Sequence, residues 1–271
     1  MTAKDTPAFW TSQISDIAAE DVYIRGYPLQ LLMGRLSFSA TTFLMIRGRL
    51  PTPGEVRMMD VVLCSILDYA LHKSGTAAAR FVVSVNPQMA PGVAAGMLGS
   101  GAYAMSPEDT GRFIIDSYAQ WSRSGLSMDD CATQLVSELR RQKARVPGFG
   151  HPVFRTVDPR AQKLRDVAVA EGVWGRFGEW YEAVHRAFCT AVNKPDLVIN
   201  DMGMLAALLA QMEFTPEEMT GLALLSTLPG LIAHVSEELR SGVRNRIVPD
   251  AIVEYAKSRR DLDADLAEAG W

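Results

Sequence analysis

Residues 146 to 160 read Val-Pro-Gly-Phe-Gly-His-Pro-Val-Phe-Arg-Thr-Val-Asp-Pro-Arg, and no other stretch constrains this chain as strongly. Pro147 and Pro152 fix a turn on either side of His151. Gly148 and Gly150 let the backbone take positive φ and approach a ligand closely. The turn brings an imidazole at His151 together with guanidinium groups at Arg155 and Arg160. A histidine held this way can polarise a carbonyl oxygen, and an arginine can grip a carboxylate with two parallel hydrogen bonds. Gly-x-Gly-His alone would equally describe a surface turn with an incidental histidine, but the whole fifteen-residue string is far more specific.

Composition narrows the classes around that turn. The chain has 271 residues and 48% hydrophobic content, enough for a substantial core. A net charge of −4 with no basic run argues against nucleic acid as a partner. The apolar stretches are broken by charges or Pro/Gly before the ~18 residues that a membrane-spanning helix needs, so no membrane partner is expected. The first seven residues lack the apolar core of a signal peptide. Cys64, Cys131 and Cys189 are scattered and odd in number, which suggests reduced thiols in a cytoplasm, each a small core residue. No His-x-x-x-His or Cys-x-x-Cys pair occurs, so no metal site is expected.

The periodicity is helical almost throughout. Residues 54–72 carry Val56, Met59, Val62, Leu63, Ile66, Leu67 and Ala70 at helical spacing. Residues 88–104, rich in Gly, Ala and Met, read as a tightly packed buried helix. Ser106-Pro107-Glu108-Asp109, Ser127-Met128-Asp129-Asp130, Asp158-Pro159 and Thr215-Pro216-Glu217-Glu218 read as helix starts, and another helix covers about 175–193. Leu228-Pro229-Gly230 is expected to break the apolar run at 219–239, and no alternation is long enough to demand a sheet.

The Pro-Gly-Phe-Gly-His turn followed by Asp-Pro-Arg resembles the citrate synthase family. Ile24-Arg25-Gly26-Tyr27, the Leu44 to Thr52 stretch ending in Gly48-Arg49-Leu50-Pro51-Thr52, and Pro229-Gly230-Leu231-Ile232-Ala233-His234 resemble other elements of that family, in the right order. Asp68 to Gly101, with Ser74-Gly75 and Gly96-Met97-Leu98-Gly99-Ser100-Gly101, resembles the citryl-CoA lyases and the lyase module of ATP-citrate lyase. The resemblance implies one all-α domain over residues 1–271, with a small helical subdomain at about 155–235 inserted in a large one. It also implies a homodimer or higher homo-oligomer, and coenzyme A as a thioester substrate without a metal.

The departures shape the expected chemistry. Tyr69 stands where the family has a histidine after its aspartate, Met105 where a histidine supports the thioester enolate, and Ser226 where an arginine binds a substrate carboxylate. In Asn200-Asp201-Met202 the acid comes one residue before the family's Asn-Val-Asp base, and one helical step turns a side chain by about 100°. The resemblance therefore implies a lyase that cleaves, or forms, a carbon–carbon bond β to a CoA thioester. A citrate synthase-type acyltransferase and a non-catalytic CoA-binding member are the alternatives. Its catalytic residues would be His151, Asp201 and Tyr69. Arg160, His72 and Ser226 would bind substrate, and Arg155, Gly148, Phe149 and Gly150 would meet the CoA. Each has a plainer alternative: an ion pair with Asp158 or Glu171 for Arg160, solvation for Arg155, helix capping for Asp201, a core role for Tyr69 and a structural one for His72. His234 is expected to pack rather than react.

Overall fold

The structure is a computed structural model that describes residues 8–68, 70–101, 103–105, 107–256 and 259–271. Tyr69 and the Ser106 helix start lie outside the described residues. A small antiparallel sheet opens the chain: β1 (Ser15–Ile17), β2 (Val22–Ile24) and β3 (Tyr27–Pro28), with Ile17 opposite Val22 and Ile24 opposite Tyr27. Strands of two or three residues are too short for alternation to show, so they leave no trace in the hydrophobic pattern. Arg25 and Gly26 both take positive φ, 49° and 84°, so Ile-Arg-Gly-Tyr is a two-residue hairpin whose twist matches the strands it joins. The Arg25 guanidinium then donates to the carbonyls of Met45 and Ile46. It thereby covers the open end of α2 (Phe38–Arg47), while Leu29–Leu32 forms the one-turn α1.

The other elements are helical. They are α3 (Pro53–Cys64), α4 (Ser74–Val85), α5 (Met89–Leu98), α6 (Pro107–Trp121), α7 (Met128–Arg141), α8 (Pro159–Ala170), α9 (Arg176–Val192), α10 (Asp201–Gln211), α11 (Pro216–Ser241) and α12 (Leu262–Glu268). The all-α class therefore holds for the body of the molecule. Thr52 and Glu55 close a capping box at the start of α3, and Thr215 and Glu218 repeat it on α11. The run expected to continue to residue 72 stops at Cys64.

One large core gathers α3, α6 to α10 and the first half of α11 around Trp180, Tyr181, Met58, Met59 and Ile114. α10 is buried along nearly its whole length at its centre. A second, smaller core joins α4 and the second half of α11 through Ala79, Val83, Leu231 and Val235. α11 spans both, and Pro229 does not break it. Pro229 removes one backbone donor and crowds the preceding turn, but the next residue supports the course of the helix. A Cβ on Gly230 would lie 2.2 Å from the Leu67 carbonyl oxygen, so tertiary packing there overrides local preference. The uninterrupted helix is long and apolar enough to cross a membrane by length and composition, contrary to the expectation above. Its buried residues serve the two cores, and it packs against α3, α4, α5 and α6, as the central helix of a globular body does.

α5 also departs from expectation. It buries Gly92 and Gly96, where a Cβ would meet Val83 and Leu231 within 2.2 and 2.6 Å, but leaves Leu98 86% exposed. Its small residues serve one seam, and its remaining surface is open. Cys64 is exposed rather than a core residue, Cys189 is buried, and all three cysteines are free.

Candidate active site

Three segments converge to form the site: the 146–158 turn, the start of α8 and the start of α10. Gly148 and Gly150 take φ of 80° and 85°. The expected close approach at Gly148 is to the protein itself, since a Cβ there would lie 2.2 Å from the Tyr181 hydroxyl and 2.7 Å from Gly203 Cα. The buried Tyr181 phenol, held well above its ordinary pKa by desolvation, donates to the Pro147 carbonyl at 2.6 Å. The Gly148 carbonyl accepts from the Asn200 amide, and the Gly150 amide donates to Val198. Asn200 caps α10 by accepting from the Gly203 amide, and its Nδ2 donates to the Gly150 carbonyl at 2.9 Å. The Phe149 ring packs on Tyr181, His185 and Phe188. These residues fasten the histidine turn to the N-terminus of α10.

His151 sits half-buried at the tip of that turn. Its Nδ1 accepts from the amides of Val153 and Phe154, each at 3.1 Å. A ring nitrogen that accepts two hydrogen bonds carries no proton, so the neutral imidazole bears its hydrogen on Nε2. The neighbouring atom, Arg160 Nη2 at 3.3 Å, is also a donor, so the contact is not a hydrogen bond. The Nε2–H therefore remains available for an incoming oxygen.

Arg160 occupies the centre. Its Nε and Nη2 donate to the two carboxylate oxygens of Asp158 at 3.2 and 3.0 Å, and its Nη1 pairs with Asp201 at 2.6 Å. Two guanidinium hydrogens thus go to Asp158, Nη1 is ion-paired with Asp201, and Nη2 also faces His151 Nε2. Asp158, with a fully buried side chain, also caps α8 through the Arg160 amide and accepts from the Asp201 amide. Its burial works to raise its pKa, but the bonds from Arg160 and the two backbone amides prevail and hold it below the usual carboxylate range. Asp201 shifts the opposite way. Burial pushes its carboxyl up, with Asp158 adding to the effect and Arg160 opposing it.

The structure thus brings His151, Arg160 and Asp201 together. Asp158, expected to start a helix and offered as the plainer ion-pair partner of Arg160, does both, and with Asn200 and Tyr181, to which the sequence reading gave no role, holds them in place. Asp158 was visible in the Asp-Pro-Arg string, but nothing in the string showed that one carboxylate would tie two segments. Arg155 is exposed and makes no ion pair or hydrogen bond among the described residues. Ser226 is buried and donates to the Leu63 carbonyl at 2.8 Å, tying α11 to α3 rather than facing a ligand. His72 lies in an exposed turn ahead of α4. Met105 is buried in the large core. His234, expected only to pack, bonds Asp68 at 2.8 Å, one residue from Tyr69.

Residues 51–249 match the family model described as citrate synthase, C-terminal domain. The chain belongs to the citrate synthase family. Its fold superposes on citryl-CoA lyase from Hydrogenobacter thermophilus with a TM-score of 0.87 at 33% identity, covering 96% of this chain and all of that one. ATP citrate lyase from Methanothrix soehngenii, solved with citrate and coenzyme A, shares the fold with a TM-score of 0.79 at 21% identity. That match takes in 94% of this chain and 42% of the larger protein. Peroxisomal citrate synthase of Dictyostelium discoideum is 28% identical over 120 residues, 44% of this chain and 22% of that enzyme. The family match includes the histidine turn, Asp158, Arg160 and Asp201, so the geometry above lies within the matched region.

Proposed function

We propose that the protein is a CoA-thioester carbon–carbon lyase of the citryl-CoA lyase type, splitting a β-hydroxyacyl-CoA into an acyl-CoA and a carbonyl compound. The observation that carries this reading is the Asp201–Arg160–His151 cluster, which combines a proton carrier, a carboxylate clamp and a free N–H donor. The full-length similarity to a citryl-CoA lyase supports it. Asp201 takes the β-hydroxyl proton as the Cα–Cβ bond breaks, the bonding electrons pass into the thioester enolate, and Asp201 returns the proton to the α-carbon. Its raised pKa suits a carboxyl that must hold a proton between those two events. The His151 Nε2–H donates to the β-oxygen while that atom carries developing negative charge, and the terminal nitrogens of Arg160 hold a carboxylate of the carbonyl half. Arg155, exposed on the turn, meets a CoA phosphate in this reading.

Incubation with citryl-CoA tests the reading. The expected products are acetyl-CoA and oxaloacetate in equal amounts, with no free CoA. Release of free CoA and citrate would indicate synthase-type acyl transfer, and CoA binding without turnover would indicate a non-catalytic member. His151→Ala is expected to lower the cleavage rate by ~10²–10³ while leaving the helical content intact, because it removes one donor aimed at developing charge.

A further inference from the structure

A cavity of about 450 Å³ lies among α8, α9 and the two segments that lead into the site. Its walls include Thr156, Val157 and Asp158, just ahead of Arg160, and Leu197, Val198 and Ile199, just ahead of Asp201. Both segments therefore have open space beside them, and a backbone next to a void is not fixed there by close packing. They are joined to each other, since the Gly150 amide donates to the Val198 carbonyl and the Asn200 amide to the Gly148 carbonyl. A shift of one therefore carries the other. The tie from these segments to α9 is His185, which also lines the cavity. Its Nε2 lies 2.6 Å from the Leu197 carbonyl oxygen. A carbonyl only accepts, so the ring carries its proton on Nε2 and donates it. Burial holds the imidazole below its ordinary pKa and keeps it neutral. The same ring meets Phe149 edge-on, with centroids 4.9 Å apart. One side chain thus touches the histidine turn just before His151 and the approach to α10 just before Asp201. Cys189, one turn along α9, reaches the same carbonyl only at 3.8 Å, and a thiol is a weak donor.

We propose that His185 is a positioning residue of the site: by donating to the Leu197 carbonyl and packing on Phe149, it holds the histidine turn and the start of α10 in the register that sets His151 and Asp201 beside Arg160. The inference rests on the lyase reading above and adds to it a residue that touches no substrate. Arg160 stands at the start of α8 and is held by Asp158, so it does not depend on the Leu197 bond. Loss of the His185 donor should therefore displace the proton carrier and the N–H donor while leaving the carboxylate clamp in place.

The test measures citryl-CoA cleavage and the imidazole ¹⁵N chemical shifts of His151 in three variants. His185→Leu removes the donor, His185→Gln restores an amide N–H near the place of Nε2–H, and Val184→Ala loosens the buried face of the same helix without touching Leu197. His185→Leu is expected to lower kcat about tenfold to a hundredfold with KM nearly unchanged, because misplaced groups are missed in the transition state. His185→Gln should recover most of that loss. Val184→Ala should melt lower and keep its kcat. The His151 shifts should move in His185→Leu and stay in Val184→Ala. His185→Phe, which keeps a ring against Phe149 and removes the donor, takes the place of His185→Leu if the latter does not fold. A folded donor-less variant with wild-type kcat or unmoved His151 shifts overturns the inference, as does an equal loss of kcat in Val184→Ala. A wild-type protein that does not cleave citryl-CoA, with His151 shifts that move only when the donor is removed, supports the positioning role and counts against the lyase reading.

Discussion

Asp158 and Asp201 meet the same guanidinium and shift in opposite directions, so they should be separable in the test tube. Asp158 has a lowered folded pKa, so the stability it contributes is fully present above the ordinary carboxylate value and is lost as pH falls through the folded one. Asp201 has a raised pKa, so its contribution is present below the ordinary value and is lost as pH rises through the folded one. Asp201→Asn should therefore melt no lower than wild type at pH 7, with any advantage shrinking toward pH 4, while citryl-CoA cleavage is lost. Asp158→Ala should melt lower at pH 7, by roughly 2–4 kcal/mol, since it removes a helix cap and a buried charge-assisted contact. Thermal melts at the two pH values check both. Asp201 also shows where the sequence fell short. By count, Met202 held the base position. The structure begins α10 at Asp201 with Asn200 as its cap, which turns Asp201 toward Arg160 and leaves Met202 packed against the core. A cap fixes the phase of a helix, and spacing between motifs does not reveal it.

The elements that were legible were those whose ends carry their own chemistry. Ser127, Asp158 and Thr215 with Glu218 all cap where their residue types predict. What could not be read was long-range packing. Pro229 looked like a terminus because the carbonyl of Leu67, which lies against Gly230, is more than 160 residues away in sequence. A matched pair of substitutions on α11 isolates that contact. Gly230→Ala places its Cβ 2.2 Å from a backbone oxygen and should destabilise clearly. Gly221→Ala, with nothing within 4 Å, should be neutral or stabilising by about 0.5–1 kcal/mol. Denaturant unfolding of the two variants reads the difference, and equal midpoints would show that α11 does not press on the segment after α3 there.

At the scale of the molecule, the histidine turn, α8 and α10 are tied together on the large core, while apolar residues of α4 and α5 are left exposed. Phe81 and Val85 on α4 and Leu98 on α5 are exposed, and beyond Gly242 so are Ile247, Ile252 and Tyr255. Scattered exposed apolar residues are ordinary, but several on α4 and α5 suit a self-associating face. A dimer is the expected state in sedimentation at micromolar concentration, and a monomer there would count against that use of the face. The central claim concerns the site where His151, Arg160 and Asp201 converge. A crystal structure with carboxymethyl-CoA and oxaloacetate tests it most directly. The account predicts the ketone oxygen within hydrogen-bond reach of His151 Nε2, the adjacent carboxylate on the terminal nitrogens of Arg160, and the thioester analogue's acyl end beside Asp201. A ligand seated away from these three side chains, or a ketone oxygen held by another group, would contradict it.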